Sequence, residues 1–254
     1  MTILFNSEKL CWFHFSEHLM DYAGGWALRA RRIGQNIGIL RPMVRFYRKM
    51  LNVDYEQAFD RGVTQRIRPG DTIWDVGANI GHYCAAFSRA TGPGGKVIAI
   101  EPSPSSLQKL NECARNFTNV AVENLGLADT EGQTAFYISK SGNTVVEGLS
   151  RKSVNDDAEE ISVMVMKGDR LAKKYPPNLI KIDVEGFELE VLEGLTETLK
   201  HPALHTVAIE VHFMTLASRG REEAPTAIRD ILVENGFVCR WTDPSHVVAS
   251  RTFA

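Results

Sequence analysis

The stretch TIWDVGANIGHY, residues 72–83, decides the fold. Its first five residues are typical of a short buried strand, and a glycine-bearing turn follows them. Gly77 permits a tight turn and a close approach of the backbone to a ligand, and Gly81 lets a helix begin against the strand. The start of such a helix presents unpaired backbone N–H groups. The stretch therefore predicts a strand, a turn and a helix that together bind a polar ligand.

The glycine spacing in this turn separates two classes of cofactor. A dinucleotide site carries GxGxxG, whereas this turn is GxxxG, with Asn79 where the middle glycine would stand. The bulkier loop suits a cofactor that has no pyrophosphate. Asp75, which lies just ahead of the loop, is predicted to reach a ligand ammonium group directly or through water.

A carboxylate follows the second predicted strand. Glu101 ends KVIAIE and lies 24 residues after Gly77, close to the offset of about 20 residues at which a ribose-binding carboxylate is expected. Such a carboxylate accepts hydrogen bonds from both ribose hydroxyls. Pro102 then turns the chain over the nucleoside, and Ser103 shapes the edge of the site. In this order and at this spacing, the two motifs predict a site for a nucleoside cofactor.

Strands and helices alternate along most of the chain. This alternation predicts a Rossmann-like α/β fold: a mostly parallel sheet with helices on both faces, an antiparallel late strand and an N-terminal helical segment. The predicted helices span residues 53–68, 82–90, 105–117, 187–200 and 224–235. The predicted strands span residues 72–76, 96–100, 120–127, 133–139, 161–166, 179–182, 206–211, 237–241 and 247–251.

Two segments stand apart from this alternation. Residues 1–52 combine a dense apolar run with a basic stretch, and they predict a helical cap or lid on a domain that spans residues 53–254. A dimer interface, giving a homodimer through these helices, and a basic surface for an acidic or lipid-like substrate remain alternatives. The polar segment 140–160 joins two predicted strands and is either a hairpin excursion or a loop that closes over substrate.

Composition limits the classes of partner. The chain has 254 residues, with 29 basic against 31 acidic side chains, so no overall field draws it to nucleic acid or lipid. The sequence contains no apolar run of about 18 residues, so no transmembrane helix is predicted. The first residues do not resemble a signal peptide. The four cysteines are widely spaced, which argues against a zinc site or a disulfide framework. A reducing cytoplasm is the expected location.

Four blocks of sequence resemble one protein family. They are DVGANIGHY, IEPSP, LIKIDVEGFELEVLEG and IEVH. Over about residues 70–240 they resemble the FkbM-type family of class I S-adenosylmethionine-dependent methyltransferases. The resemblance implies S-adenosylmethionine as cofactor, Glu101 on its ribose, and Asn124, Gly126 and Leu127 near its adenine. It places five residues along the methionine part: Asp75, Gly77, Ala78, Asn79 and Gly81.

The candidate catalytic residues follow two predicted strands whose carboxyl ends should meet, where open α/β sheets bind ligands. Asp183 ends one strand, so we expect it to face the crevice and to contact the cofactor as well; Glu185 follows it. Glu210 and His212 are two residues apart and share one face of the other strand. Five other histidines have no clustered partners in sequence and are expected to be ordinary surface or core residues: His14, His18, His201, His205 and His246. His82, on the predicted cofactor helix, is expected either to contact ligand or to pack in the core.

Two mechanisms fit these candidates. In the favoured one, His212 is a general base that Glu210 or Asp183 orients, and no metal takes part. In the other, Asp183, Glu210 and His212 hold a divalent metal that acidifies the acceptor oxygen, by analogy with related magnesium-dependent enzymes. A structural interpretation is also open, in which Lys181 and Asp183 form a buried ion pair.

The expected reaction is methyl transfer to a hydroxyl of a small molecule, glycan or natural product. Carboxyl and amine acceptors would use the same cofactor site. Less favoured are a nucleotide-dependent oxidoreductase, against which Asn79 argues, and a noncatalytic cofactor-binding protein. Nucleic-acid modification is disfavoured by the slightly negative net charge and by the lack of an NPPY-like tetrapeptide.

Overall fold

A computed structural model describes residues 55–139 and 158–251, together with Ala23. The cap predicted for residues 1–52, apart from Ala23, lies outside the described residues, and so do positions 140–157 of the predicted loop. None of the helices in these described ranges has the length and apolarity that a membrane-crossing span requires.

The described part contains a seven-stranded sheet in the order β3-β2-β1-β7-β8-β10-β9. Neighbouring strands from β3 to β8 run parallel, whereas β10 is antiparallel to both β8 and β9. The mostly parallel sheet with antiparallel late strands is confirmed. The strands are β1 (Thr72–Val76), β2 (Lys96–Ile100), β3 (Val120–Glu123), β7 (Leu179–Ile182), β8 (Thr206–Glu210), β9 (Val238–Trp241) and β10 (His246–Ser250).

The strand order reverses between β1 and β7. From β1 the chain moves outward to β2 and β3, and it later returns to place β7 on the other side of β1. In open α/β sheets the crevice at such a reversal is where ligands bind, outside the carboxyl ends of the strands. The register pairs Asp75 with Lys181 and Val76 with Ile182, so the loops that follow both strands start at the same level.

Apolar side chains cover both faces of the sheet. Alternate residues of β1 fall into different buried clusters, with Trp74 and Val76 in one and Ile73 in another. This alternation follows from the two-residue period of a strand. The helices are α1 (Tyr55–Thr64), α2 (Cys84–Thr91), α3 (Pro104–Ala114), α4 (Gly168–Ala172), α5 (Glu188–Glu193), α6 (Phe213–Ser218) and α7 (Ala224–Glu234).

The helix after the glycine turn begins at Cys84, two residues later than predicted. Residues 77–83 form turns instead, and Gly81 takes a φ of 92°, which a side chain would strain. A Cβ atom on Gly81 would lie 3.1–3.2 Å from Leu110 and Cys113 of α3. Gly81 therefore allows α3 to pack closely, rather than bringing α2 against β1.

The strand predicted for residues 120–127 is two strands. β3 ends at Glu123, and Gly126–Leu127 forms β4, which pairs with a different sheet. This second sheet has the order β4-β6-β5, in which β5 (Gly132–Ser139) and β6 (Ala158–Met166) are an antiparallel pair, as the alternating sequence predicts. The break carries the chain away from the main sheet and past the carboxyl end of β2.

The helix predicted for residues 187–200 is also divided. α5 ends at Glu193, and a 3₁₀ helix follows at Thr198–Lys200. The Asp169 carboxylate accepts hydrogen bonds from the backbone N–H groups of Glu197 and Thr198, at 2.8–3.2 Å. A distant side chain thus caps the second segment, which is a contact that local sequence does not reveal.

Candidate functional site

A cavity opens at the carboxyl ends of β1, β2 and β7. The loops after these strands and the small second sheet form its walls, at the reversal in strand order. Eight of the predicted cofactor residues line it: Gly77, Ala78, Asn79, Glu101, Pro102, Gly126, Leu127 and Asp183. Asp183 and Glu185, two predicted catalytic residues, line it as well.

The glycine turn forms the floor of this cavity. The N–H groups of Gly77 and Ala78 both donate to the carbonyl oxygen of Ile100, which ties the turn to β2. Gly77 takes a φ of 78°, and a Cβ atom on it would overlap the carbonyl oxygen of Asp183. The sequence predicts a close approach between Gly77 and a ligand; the structure shows a close approach to the loop after β7.

The Glu101 carboxylate lies almost fully buried at the edge of the cavity. Its two oxygens accept hydrogen bonds from the backbone N–H groups of Asn79 and Ser103, each at 2.8 Å. Asn79 has a φ of 48°, and its side chain accepts a hydrogen bond from Ser106. Glu101 therefore joins the turn after β1 to the turn after β2. Ser103 itself is buried and is absent from the cavity lining.

Asp75 is buried beneath the cavity instead of lining it. Its side chain is 0% exposed, and Asp75 Oδ1 lies 3.1 Å from Lys181 Nζ. Burial raises the pKa of the Asp75 carboxyl, and the Lys181 ammonium opposes that shift. Lys181 Nζ also lies 3.3 Å from Asp183 Oδ2, so the ion pair between Lys181 and Asp183 is present and Asp75 extends it.

The far end of the cavity is apolar. Leu125, Leu127 and Phe136 line it and are largely buried. Such surfaces suit the flat faces of a purine ring. Gly126 lines this end too, whereas Asn124 is exposed to solvent and absent from the lining. Phe136 is missing from the predicted site because it belongs to the second sheet, which sequence spacing does not place near β2.

Four carboxylates surround His212 at the mouth of the cavity. Its Nε2 atom lies 3.3 Å from Glu185 Oε2, 3.8 Å from Asp183 Oδ1 and 3.9 Å from Glu210 Oε1. Its Nδ1 atom lies 2.8 Å from Oε1 of Glu188, which is fully buried. The structure thus brings together all four predicted catalytic residues and adds Glu188, which is not among the predicted site residues.

Charge around His212 sets its protonation. Burial lowers the pKa of this imidazole, but Glu188, Glu185 and Asp183 outweigh burial and raise it to about 10. The ring that the sequence predicts as a general base therefore carries a proton at neutral pH when no other cation is near. Burial also raises the pKa of the Glu185 carboxyl, and the nearby His212 ring opposes this rise.

His246 is a site residue that the sequence analysis misses. It lies opposite Glu210 in the antiparallel register of β10 and β8, and its Nε2 atom is 3.3 Å from Glu210 Oε2. Its Nδ1 atom is 2.8 Å from both carboxylate oxygens of Asp243. Pairing across antiparallel strands brings His246 and Glu210 together, and only the register of the late strands could have revealed this contact.

One group within the described residues has the donors and spacing for a metal ion. Single ligand atoms of Asp183, Glu185 and His212 all lie within 4.8 Å of one another. The predicted set contained Glu210 in place of Glu185. Glu210 instead shares its carboxylate with His246, which explains the exchange.

This chain matches known proteins over the part that contains the cavity and the His212 cluster. The Methyltransferase FkbM domain matches residues 75–239. The hexuronic acid methyltransferase AglP of Haloferax volcanii is 30% identical over 162 residues, which cover 62% of this chain and 62% of that protein. The 31-O-demethyl-FK506 methyltransferase FkbM of Streptomyces tacrolimicus is 30% identical over 176 residues, which cover 58% of this chain and 67% of that protein.

Among solved structures, a candidate rRNA methylase from Clostridium thermocellum aligns with a TM-score of 0.50 and 10% identity, over 78% of this chain and 96% of that one. At this identity the likeness concerns the fold alone. The chain spans about three fifths of the length of the first of the curated relatives above. The domain match covers the glycine turn, Glu101, the Asp183 loop and the His212 loop. The chain is a member of the FkbM methyltransferase domain family.

Proposed function

We propose that the chain transfers a methyl group from S-adenosylmethionine to a hydroxyl of a small molecule or glycan. One observation carries the proposal: Asp183 and Glu185 belong both to the lining of the cavity and to the carboxylate cluster around His212. A cofactor in the cavity therefore lies next to groups that can accept a proton. Methyl transfer to a hydroxyl needs this adjacency.

The cavity residues fit the parts of the cofactor in order. Glu101 holds two backbone N–H groups, and a carboxylate can accept about four hydrogen bonds, so it can also receive the ribose hydroxyls. Leu125, Leu127 and Phe136 offer apolar surface to the adenine. Asp183 lies beside Gly77, and 29% of its side chain is exposed. Its carboxylate is therefore suited to accept hydrogen bonds from the methionine ammonium group.

The bound cofactor supplies an electrophilic methyl group on a sulfonium. The protein aligns the acceptor with that methyl group and removes the hydroxyl proton. Glu185 and Glu210 are each about one third exposed, so both can contact an acceptor at the cavity mouth. Buried Glu188 holds the His212 ring in one orientation, and Asp243 with His246 restrains Glu210.

The acceptor class rests on the two curated relatives. Their names describe one methyltransferase that acts on a hexuronic acid and one that acts on 31-O-demethyl-FK506. The second name specifies an oxygen as the acceptor atom, whereas the first names a sugar acid without its acceptor atom. A hydroxyl of a small molecule or glycan fits both names. A carboxyl or amine acceptor is the competing outcome, because the cofactor end of the cavity would be the same.

The test is methyl transfer from labelled S-adenosylmethionine to four acceptor sets: hexuronic acid glycosides, hydroxylated polyketides, simple carboxylic acids and amines. We expect label in an ether product from the first or second set, and mass spectrometry locates it. Glu101→Ala should abolish transfer, whereas Glu112→Ala, an exposed carboxylate on α3, should retain it. Exclusive labelling of carboxylates or amines would overturn the hydroxyl proposal.

A further inference from the structure

We propose that Asp183, Glu185 and His212 bind one divalent cation at the mouth of the cofactor cavity. The proposed role of the ion, holding the acceptor oxygen, rests on the proposed function. The binding itself does not depend on that function, because every ligand comes from this chain.

The donor atoms are already spaced for a single ion. His212 Nε2 lies 3.3 Å from Glu185 Oε2 and 3.8 Å from Asp183 Oδ1. Ligands at about 2.1 Å from one ion stand about 3 Å apart when adjacent and about 4.2 Å apart when opposite. These two distances fall between the two values, and all three ligand atoms lie within 4.8 Å of one another, so side-chain rotations can bring them onto one ion. The ligands are also partly exposed, which leaves coordination positions open.

The orientation of His212 gives an independent reason. Its Nδ1 atom faces Glu188, whose Oε1 also accepts the backbone N–H of Gly186 at 2.8 Å. A carboxylate at Nδ1 holds the proton there and turns the Nε2 lone pair toward Asp183 and Glu185. Metal-binding histidines commonly have this arrangement, in which an outer carboxylate fixes the ring and raises its basicity.

The buried carboxylate of Glu188 requires positive charge nearby. Its side chain is 0% exposed, and within the described residues its Oε2 atom has no hydrogen-bond partner. A buried carboxylate with an unsatisfied oxygen is costly unless positive charge lies near it. The His212 ring next to Glu188 can carry that charge, either with a proton on Nε2 or with an ion bound there.

The charge around the site adds a third reason. Three basic groups, Lys181, His212 and His246, face six carboxylates, and Lys181 and His246 are each shared between two of them. The carboxylates belong to Asp75, Asp183, Glu185, Glu188, Glu210 and Asp243. A divalent cation at the three ligands would reduce this excess of negative charge.

The backbone conformation of Glu185 also favours this arrangement of the three ligands. Glu185 has a φ of 52°, a left-handed conformation that is unfavourable for a non-glycine residue. Such strain persists where the surrounding structure holds a side chain in a functional position. Here it directs Glu185 toward His212 and into the cavity lining.

The ligand set indicates which ions bind. Two carboxylate oxygens with one imidazole nitrogen suit ions of intermediate softness, such as Mn²⁺, Fe²⁺, Co²⁺ and Zn²⁺, over Ca²⁺. At the cavity mouth the ion can bind the acceptor oxygen and lower its pKa, which leaves a neighbouring carboxylate to accept the proton.

The test is calorimetric titration of the EDTA-treated full chain with Mn²⁺ and with Zn²⁺, in the absence of cofactor. We expect one site per chain, and Asp183→Asn or Glu185→Gln should weaken binding at least tenfold. Glu188→Gln, which removes the carboxylate behind His212, should weaken it about 10–100-fold. Glu197→Gln, an exposed carboxylate far from the site, is the matched control and should bind like the unsubstituted chain.

S-adenosylhomocysteine is titrated into the same samples to separate the two proposals. Binding of S-adenosylhomocysteine without uptake of either ion would overturn the metal site and leave the proposed function standing. Uptake of ion without binding of S-adenosylhomocysteine would overturn the proposed function and leave the metal site standing. Ion binding that is unchanged in both Asp183→Asn and Glu185→Gln would also overturn the site. Thermal unfolding, with Glu185→Asp as a milder variant, verifies that each protein is folded.

Discussion

The carbonyl oxygen of Asp183 occupies the space that a Cβ atom on Gly77 would need. The turn after β1 and the loop after β7 are therefore in direct backbone contact. The first carries the floor of the cofactor cavity, and the second carries Asp183 and Glu185. Because this contact sets the distance between the two halves of the site, changes at Gly77 should affect both.

Gly77→Ala is expected to lose cofactor binding as well as stability. The added methyl group must displace the Asp183 carbonyl, and the left-handed φ adds about 1–2 kcal/mol of strain. We expect at least a tenfold weaker affinity for S-adenosylhomocysteine by calorimetry. Gly92→Ala is the control, since Gly92 has a similar φ of 71° but open space around its Cβ position. Equal affinities in the two variants would contradict this account.

Glu101→Gln should weaken cofactor binding without unfolding the protein. The amide keeps the shape of the side chain, but it loses the charge that strengthens hydrogen bonds from Asn79, Ser103 and a ribose. We expect a loss in affinity of about tenfold or more, which corresponds to about 1.4 kcal/mol. Glu112→Gln should leave affinity unchanged. An unaltered affinity in Glu101→Gln would remove Glu101 from the ribose site.

Lys181→Met should destabilise the fold strongly. Asp75 is completely buried and Lys181 is its ion-pair partner, so the substitution leaves a buried charge without compensation. Removing one partner of a buried pair costs about 3–5 kcal/mol. The double variant Asp75→Asn/Lys181→Met should recover much of that loss. Urea unfolding of both variants measures this, and an additive double variant would show that the two side chains do not interact.

Asp169 should make stability depend on pH in the acid range. Burial raises the pKa of this carboxyl, but hydrogen bonds from Glu197, Thr198 and Thr196 outweigh it and lower the pKa. A lowered folded-state pKa stabilises the protein above the unfolded value of about 3.9, and this stabilisation is lost as the pH falls through the folded value.

Asp169→Asn therefore tests the pH dependence directly. We expect it to lower the free energy of unfolding by about 1 kcal/mol at pH 7 and by progressively less below pH ~4. Urea unfolding at pH 7, 5 and 3 follows the difference between the two proteins. A difference that stays constant over this range would mean that the charge of Asp169 does not stabilise the cap.

Residues that share a short stretch of sequence were the most predictable part of the site. The end of β1, the glycine turn and Glu101 line one cavity because local spacing and the parallel sheet together determine their positions. Burial of Asp75 was not predictable, since its partner Lys181 lies on another strand, at the same register level.

Contacts between distant elements account for the other differences. His246 meets Glu210 only through the register of antiparallel strands, and Phe136 reaches the cavity only because the chain leaves the main sheet after Glu123. Glu188 orients His212 across 24 positions of sequence. None of these pairings follows from the periodicity of a single segment, which is why sequence patterns did not reveal them.

We expect the cavity to bind S-adenosylmethionine rather than a dinucleotide. Calorimetric titration of the full chain with S-adenosylhomocysteine and, separately, with NADH distinguishes the two ligands. We expect micromolar binding of S-adenosylhomocysteine, its loss in Glu101→Ala, and no heat of binding with NADH. Tight binding of NADH without any response to S-adenosylhomocysteine would mean that the cavity is a dinucleotide site.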